Sequence, residues 1–273
     1  MSKKRILIVA QEMLPYTDPN AFSELVGRLP LYLNEKGYEI RVLMPRFGMI
    51  NERRHRLHEV VRLSGMNIIV DDDDYPLIIK VASLPGARLQ VYFLDNEEFF
   101  KRKEMFEEED GTPFEDNAER MVFFSKGVIE TVRKFGWPPD IIHCHGWMTS
   151  LVPMFIKQAY KNDPVFSNTN VVYSTYEQKI DSSIQDNFMA KASINNIDKE
   201  DLNAYFNGEV LSLDKGAIKF ADGVIKGSNN LSPAVLEELE HSDKPILEHV
   251  EGDGDMAGYV EFYKTLMAQS VPS

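Results

Sequence analysis

The alternation of apolar and polar stretches predicts strands and helices in turn along the chain. Continuous apolar runs at 5–10, 39–44, 140–144, 171–174 and 222–226 are typical of strands buried on both faces. Apolar residues at helical spacing occupy the stretches between them. Parallel strands alternating with helices predict an α/β, Rossmann-like domain of three layers with a parallel sheet.

One region departs from this alternation and predicts antiparallel strands instead. Residues 66–70, 77–82 and 89–94 form short strand-like runs separated by turn residues, so we predict a β-meander insertion. Four consecutive aspartates, 71–74, join the first two runs. A calcium loop needs alternating oxygen ligands and a closing glutamate, so we interpret the aspartates as a solvated turn.

The remaining helices follow from apolar spacing and from the residues that end them. The spacing predicts a long helix over 116–135, which Gly136 stops, and a final helix over 259–267. Shorter helices are predicted at 95–105, 149–161, 209–221 and 231–241. Residues 176–207 show only weak helical signals.

Charge and cysteine content exclude several classes of function. The net charge of −13 argues against nucleic acid and anionic membranes as partners, because both attract clustered Lys and Arg. Cys144 is the only cysteine, so no intramolecular disulfide forms. The first apolar run is too short for a signal peptide, and no run is long enough to span a membrane. We therefore expect a cytoplasmic protein with one domain over residues 1–273.

The densest candidate chemistry lies in the run 140–144 and the loop after it. His143 and His145 share one face of a strand while Cys144 points to the other. A zinc site needs two further ligands, and no CxxC or HExxH supplies them, so we predict no metal. We expect His143 to be satisfied in the core and His145 to face a site. Ligands of α/β sheets bind past the carboxyl ends of strands, where Trp147 and residues 175–178 also fall.

Other enzyme signatures are absent from the sequence. No GxGxxG, Walker GxxxxGK[ST] or GxSxG motif is present. Ser, His and Asp all occur, but nothing places them as a triad, so a hydrolase is a weak option. We predict no catalytic residue and no cofactor.

Several segments together resemble the N-terminal domain of bacterial glycogen synthases and plant starch synthases. Residues 140–149, DIIHCHGWMT, are similar to the family's HxHDWHT segment, and Asp116 begins a similar block. The other similar segments are 11–15, 24–30, 41–48, 91–96, 221–224 and 231–233. The resemblance implies the N-terminal half of a two-domain GT-B glycosyltransferase that uses ADP-glucose or UDP-glucose. It also identifies residues 254–268 as a crossover helix.

The departures from this family fall where its chemistry lies. The family's Lys-Thr-Gly-Gly-Leu loop, which binds the nucleotide sugar, reads DPNAF over 18–22. Asp18 therefore replaces the cation, and Asn20 stands where a glycine allows close approach to phosphates. Gly146 replaces an acidic residue, and Tyr176 replaces a site histidine. The chain is also about half the family's size.

The resemblance and the departures together lead to three hypotheses. The first is a non-catalytic protein that binds α-glucan or regulates glycogen metabolism. The second is a glycogen synthase that transfers glucose from ADP-glucose to an α-1,4-glucan with a partner chain. The third is an unrelated small-molecule-binding module. A protein partner and a homo-oligomer both remain open. The candidate ligand-binding residues are His145, Trp147, Asp116, Asp18, Asn20 and Tyr176.

Overall fold

The computed structural model describes residues 3–177, 182–194, 197–250 and 256–269, and its main sheet carries helices on its faces. The strands are β1 (Arg5–Ala10), β2 (Glu39–Pro45), β3 (His58–Glu59), β4 (Met66–Val70), β5 (Asp73–Ser83), β6 (Gln90–Asp95), β7 (Ile141–His145), β8 (Asn170–Thr175), β9 (Phe206–Asn207), β10 (Val210–Leu211), β11 (Gly223–Lys226) and β12 (Ile246–Leu247). The helices are α1 (Ala21–Glu35), α2 (Glu52–His55), α3 (Glu97–Phe100), α4 (Asn117–Phe135), α5 (Leu151–Met154), α6 (Ser182–Lys191), α7 (Lys199–Asn203), α8 (Leu213–Phe220), α9 (Pro233–Glu240) and α10 (Ala257–Gln269).

The order of strands in the main sheet confirms the predicted α/β class. The sheet runs β12-β11-β8-β7-β1-β2-β6-β5-β3, and β4 pairs with β5. All neighbours from β12 to β6 pair in parallel. The chain builds outward from β1 in both directions, so the order reverses between β1 and β7. Such a reversal leaves a crevice at the carboxyl ends of the strands.

The meander is continuous with the parallel sheet and does not form a separate insertion. Strand β6 pairs in parallel with β2 and antiparallel with β5, so it belongs to both patterns. Its run VYFLD is buried throughout, as a strand covered on both faces requires. In the acidic run, Asp73 and Asp74 pair within the β4–β5 hairpin, and Asp71 takes a left-handed turn conformation at φ 57°. The turn is thus shorter than predicted.

Several predicted helices differ in the structure. The helix predicted over 149–161 divides into a 3-10 turn (Trp147–Thr149), α5 and a π-helical turn (Phe155–Ala159). Two other helices are shorter than predicted, each for a local reason. The helix predicted over 95–105 ends at Phe100, because the carbonyl of Arg102 accepts a bond from the Gly48 amide at 3.0 Å. The helix predicted over 209–221 begins at Leu213, because the Ser212 hydroxyl caps it and the residues before it pair as β9–β10. In the irregular stretch, α6 and α7 form, while 178–181 and 195–196 lie outside the described residues.

The last helix closes one face of the sheet. Tyr263 is fully buried, and its hydroxyl lies 2.7 Å from Nδ1 of His143 in β7. Phe262 and Leu266 pack so closely on Gly223 that a Cβ there would lie 2.8 Å and 3.0 Å from them. Helix α10 covers most of the segment expected to be a crossover helix, while residues 254 and 255 lie outside the described residues. No helix in the described ranges combines the length and hydropathy of a membrane span.

Removing the Tyr263 anchor should destabilise the fold. We expect Tyr263→Phe to lower the free energy of unfolding by ~1 kcal/mol through the lost hydrogen bond. Tyr263→Ala should cost ~3 kcal/mol or more, because it also leaves a cavity under α10. Urea unfolding measures both values. Lys264→Ala, at the neighbouring exposed position, is the control and should change stability little. Equal effects at the two positions would contradict the anchoring role.

Candidate functional site

A cleft of roughly 600 Å³ opens where four parallel strands end. Gln11, Gly146, Tyr176 and Gly227 line it, and they directly follow β1, β7, β8 and β11 respectively. The cleft therefore occupies the crevice that the strand order predicts at the carboxyl edge of the sheet. The amino end of helix α1 forms another part of its wall, with Phe22 among the lining residues.

Two adjacent histidines and two tyrosines form a buried layer beneath the cleft. The rings of His143 and His145 lie 3.8 Å apart between centroids. Nδ1 of His145 is 2.8 Å from the Tyr176 hydroxyl, and its Nε2 is 3.1 Å from Nδ1 of His143. Nε2 of His143 is 2.7 Å from the Ser174 hydroxyl. The layer thus connects the cleft wall at Tyr176 to helix α10 through Tyr263.

Burial keeps both imidazole rings neutral. It lowers the pKa of His145 to about 3 and that of His143 well below its ordinary value, where the neighbouring His145 contributes to the lowering. The two rings contact each other and the hydroxyl groups of Tyr176, Tyr263 and Ser174, and all of these partners are uncharged. The layer therefore supports the cleft structurally and holds no imidazolium at neutral pH.

The amino end of α1 is capped by its own side chains. Oδ1 of Asn20 accepts from the Ser23 amide at 2.8 Å, and the Ser23 hydroxyl accepts from the Asn20 amide at 3.0 Å, which forms a capping box. The Asn20 amide nitrogen donates to the Glu12 carboxylate at 2.7 Å. Glu12 is only 8% exposed and also accepts from Gln11 at 3.2 Å. A buried carboxylate thus stands behind a helix end that would otherwise attract anions.

Gln11 fills the space beside Gly146. Its Oε1 atom accepts from the Met148 amide at 3.3 Å. A Cβ at position 146 would lie 2.4 Å from the same oxygen, and Gly146 has φ 84°. The positive φ disfavours a side chain at this position, and a Cβ would also require the Gln11 side chain to move. The acidic residue of the resembling family therefore has no room here while Gln11 keeps its place.

The open part of the cleft combines aromatic faces with carboxylates. The rings of Phe22 and Tyr176 lie 4.5 Å apart, and Tyr176 packs directly on Gly227. Burial raises the pKa of the Tyr176 phenol well above its ordinary value, so it stays protonated. Glu24 and Glu177 add negative charge to that of Glu12, and the lining also contains Arg28 and His249.

The structure brings together only part of the predicted site. Asn20 and Tyr176 line the cleft, whereas His145 lies fully buried behind Tyr176 and does not face the cleft as expected. Asp18 is an exposed residue just before α1, with its carbonyl bonded to the Ser23 hydroxyl at 2.8 Å.

Trp147 and Asp116 do not line the cleft. The turn at Gly146 directs Trp147 inward, where it is 7% exposed and packs 5.3 Å from the Phe106 ring. Asp116 forms an ion pair with Arg102 at the start of α4. Gln178 lies outside the described residues.

Sequence reasoning overlooked Gln11, Glu12 and Phe22 as site residues. Gln11 and Glu12 directly follow β1, so the rule that placed His145 and Trp147 at a site also applies to them. Among the described residues, no three His, Cys, Asp or Glu side chains are grouped to hold a metal ion.

Comparisons with known proteins point to one family. Residues 5–246 match the family model described as the starch synthase catalytic domain. The glycogen synthase of Chlorobaculum tepidum is 37% identical over 244 residues, covering 87% of this chain and 48% of that protein. The glycogen synthase of Chlorobium limicola is 38% identical over 180 residues, covering 64% of this chain and 37% of that protein. The chain thus spans half or less of these relatives.

A solved structure shares the fold. The catalytic domain of Starch Synthase IV from Arabidopsis thaliana, bound to ADP and acarbose, matches with a TM-score of 0.72 and 20% identity. The match covers 92% of this chain and 52% of that chain.

Stability should fall in acid because of the buried histidines. Unfolded histidine binds a proton below pH ~6.5, whereas native His145 does so only near pH 3, so the unfolded state gains protons between these values. We expect the free energy of unfolding to drop by up to ~1.4 kcal/mol per pH unit for each such histidine. His145→Gln should reduce the dependence of the unfolding free energy on pH. Urea unfolding at several pH values between about 7 and 4 measures this dependence.

The exposed His58 provides the matched control for this pH dependence. His58→Gln should leave the slope as it is in the wild-type chain, because His58 lies in an exposed strand. If His145→Gln and the wild type showed the same pH dependence of the unfolding free energy, the assignment of that dependence to His145 would be contradicted.

A double-mutant cycle tests the contact between Gln11 and Gly146. Gly146→Ala should destabilise the chain by ~2 kcal/mol or more, through both the clash and the left-handed backbone. Gln11→Ala should relieve the clash, so the double variant should recover part of the loss. Strictly additive effects on the free energy of unfolding would argue against the contact.

Proposed function

The chain belongs to the family of starch synthase catalytic domains, and we propose that it binds an α-glucan without itself transferring glucose from a nucleotide sugar. The curated relatives are named glycogen synthases, and the structural neighbour was solved with ADP and acarbose. The cleft at the carboxyl edge of the sheet is the proposed binding site. We place the protein in the cytoplasm and in glycogen metabolism.

The observation that carries this proposal is the acidic, internally capped amino end of α1. Asn20 already satisfies the helix end, and the Glu12 carboxylate lies 2.7 Å from its amide nitrogen. Asp18 adds a further carboxylate where the resembling family has a lysine. Two unit charges about 4 Å apart interact by roughly 4 kcal/mol at an effective dielectric constant near 20, so a diphosphate here meets repulsion of that order.

A neutral glucan meets no such repulsion. The Phe22 and Tyr176 rings offer apolar faces to the C–H faces of a sugar ring. Carboxylates of Glu24 and Glu177 accept hydrogen bonds from hydroxyl groups. Apolar walls with a few polar groups are the usual composition of a small-molecule site.

The hypothesis of a glycogen synthase completed by a partner chain has less support than the binding role. The second hypothesis, a glycogen synthase completed by a partner, requires this half to keep its nucleotide-contacting residues. The replaced residues, Asp18, Asn20 and Gly146, belong to this chain, so a partner would not restore them. We therefore propose a binding or regulatory role.

Calorimetric titration separates glucan binding from nucleotide-sugar binding. We expect maltoheptaose to bind and ADP-glucose not to bind. Phe22→Ala should weaken maltoheptaose binding about tenfold, because it removes an aromatic face worth about 1.4 kcal/mol. Tyr32→Ala is the matched control, since Tyr32 is a half-buried aromatic residue of the same helix outside the cleft. It should leave the affinity unchanged.

Two outcomes would contradict the proposal. Tight ADP-glucose binding by the wild-type chain would show that the carboxylates do not exclude a diphosphate. Equal weakening of maltoheptaose binding by Phe22→Ala and Tyr32→Ala would show that the glucan does not occupy this cleft.

A further inference from the structure

A groove of about 390 Å³ lies beside helix α1 and adjoins the cleft. Glu24 and Arg28 line both the cleft and the groove, so the two concave surfaces meet at these side chains. The other lining residues of the groove carry no polar side chain; they are Leu14, Pro15, Gly27, Leu31, Leu84 and Pro85. The proposed glucan site accounts for the cleft but leaves this apolar extension without a role.

The spacing of residues on α1 sets the direction of the groove. Glu24, Arg28 and Leu31 follow one another at intervals of four and three residues, which places them on one face of the helix. Phe22, at the amino end of the same helix, lines the cleft only. With a rise of ~1.5 Å per residue, the path from Glu24 to Leu31 extends ~10 Å along the axis. A ligand that leaves the cleft over Glu24 therefore follows α1 into the groove.

Backbone packing forms the floor of the groove. The Leu14 amide donates to the Ser23 carbonyl at 2.9 Å, which fixes the loop after β1 against α1. Gly27 lies close to this loop, since a Cβ there would lie 3.0 Å from the carbonyl oxygen of Leu14. The absence of a side chain at Gly27 thus allows the close approach of loop and helix. We therefore expect the groove to be formed before a ligand binds, as most small-molecule sites are.

The turn between β5 and β6 supplies a further part of the wall. Leu84 is buried, and its amide donates to the Leu89 carbonyl at 2.9 Å, so the turn is tied to the end of the sheet. Pro85 is exposed beside it. The apolar wall therefore comes from three separate segments of the chain, and it persists when a single side chain is changed.

The composition of the groove favours an uncharged, amphipathic ligand. Its leucine and proline side chains offer apolar surface, while Glu24 accepts and Arg28 donates hydrogen bonds where the groove meets the cleft. An α-glucan has this character, since its sugar rings present C–H faces and its edges carry hydroxyl groups. A charged ligand would find charged partners only where the two surfaces meet.

We propose that the groove extends the glucan site and gives the protein a preference for long α-glucan chains over short ones. This inference rests on the proposed glucan binding in the cleft. A short oligosaccharide occupies the cleft alone, whereas a longer chain crosses Glu24 and Arg28 and covers Leu31 and Pro85. The apolar surface that the longer chain additionally buries lowers its dissociation constant.

Calorimetric titration with maltotriose and maltoheptaose tests the extension. We expect the wild-type chain to bind maltoheptaose about tenfold more tightly than maltotriose. Leu31→Gln should weaken maltoheptaose binding about fivefold and leave maltotriose binding unchanged, because Leu31 lines the groove and not the cleft. Glutamine is a helix former close to leucine, so α1 should persist. Pro85→Ser, in an exposed turn outside α1, should give the same pattern.

Tyr32→Gln is the matched control for Leu31→Gln. Tyr32 is the next residue of α1, is also half-buried, and lines neither the cleft nor the groove. The substitution should leave the affinities for both oligosaccharides unchanged. Urea unfolding of each variant separates a loss of binding from a loss of the fold.

The outcomes distinguish this inference from the proposed function. Equal affinity of the wild type for the two oligosaccharides, or unchanged maltoheptaose binding in both Leu31→Gln and Pro85→Ser, would overturn the extension and leave glucan binding in the cleft intact. Equal weakening of both oligosaccharides by Leu31→Gln would also overturn it, since maltotriose should not reach the groove. If the wild type bound neither oligosaccharide, the proposed function and this inference would both be wrong.

Discussion

The layer of two neutral histidines in β7 is the interaction on which the cleft and the last helix both depend. His143 bonds to Tyr263 of α10 and to Ser174 of β8, while His145 bonds to Tyr176 at the cleft. A charged ring here would lack a carboxylate partner among these contacts and would carry a large desolvation cost. Because both rings remain neutral, these polar side chains pack within the core without an unpaired charge and form the floor of the cleft.

The side chains beside Gly146 and at the amino end of α1 form one connected set of contacts. Gln11 occupies the space beside Gly146, Glu12 bonds to Gln11 and to Asn20, and Asn20 caps α1. A lysine at position 18 alone would therefore leave these contacts in place.

The local pattern of apolar and polar residues was enough to predict most helices and strands, because the burial of an element sets the spacing of its apolar residues. The runs that became β1, β2 and β8 read as buried strands, and Gly136 ends α4, as predicted, with a positive φ of 59°. The predictions that failed concern features that depend on contacts between residues far apart in the sequence. The carbonyl of Arg102 bonds to Gly48, which ends a helix early, and the side chain of Gln11 fits against Gly146. Trp147 consequently turns away from the cleft, which no periodicity in the sequence indicates.

The cleft shows that net charge does not fix local composition. The chain carries −13 overall, yet the lining of the cleft contains Arg28 and His249 beside its carboxylates. In the cleft, the side-chain amide groups of Gln11 and Asn20 donate to the Glu12 carboxylate behind the amino end of α1.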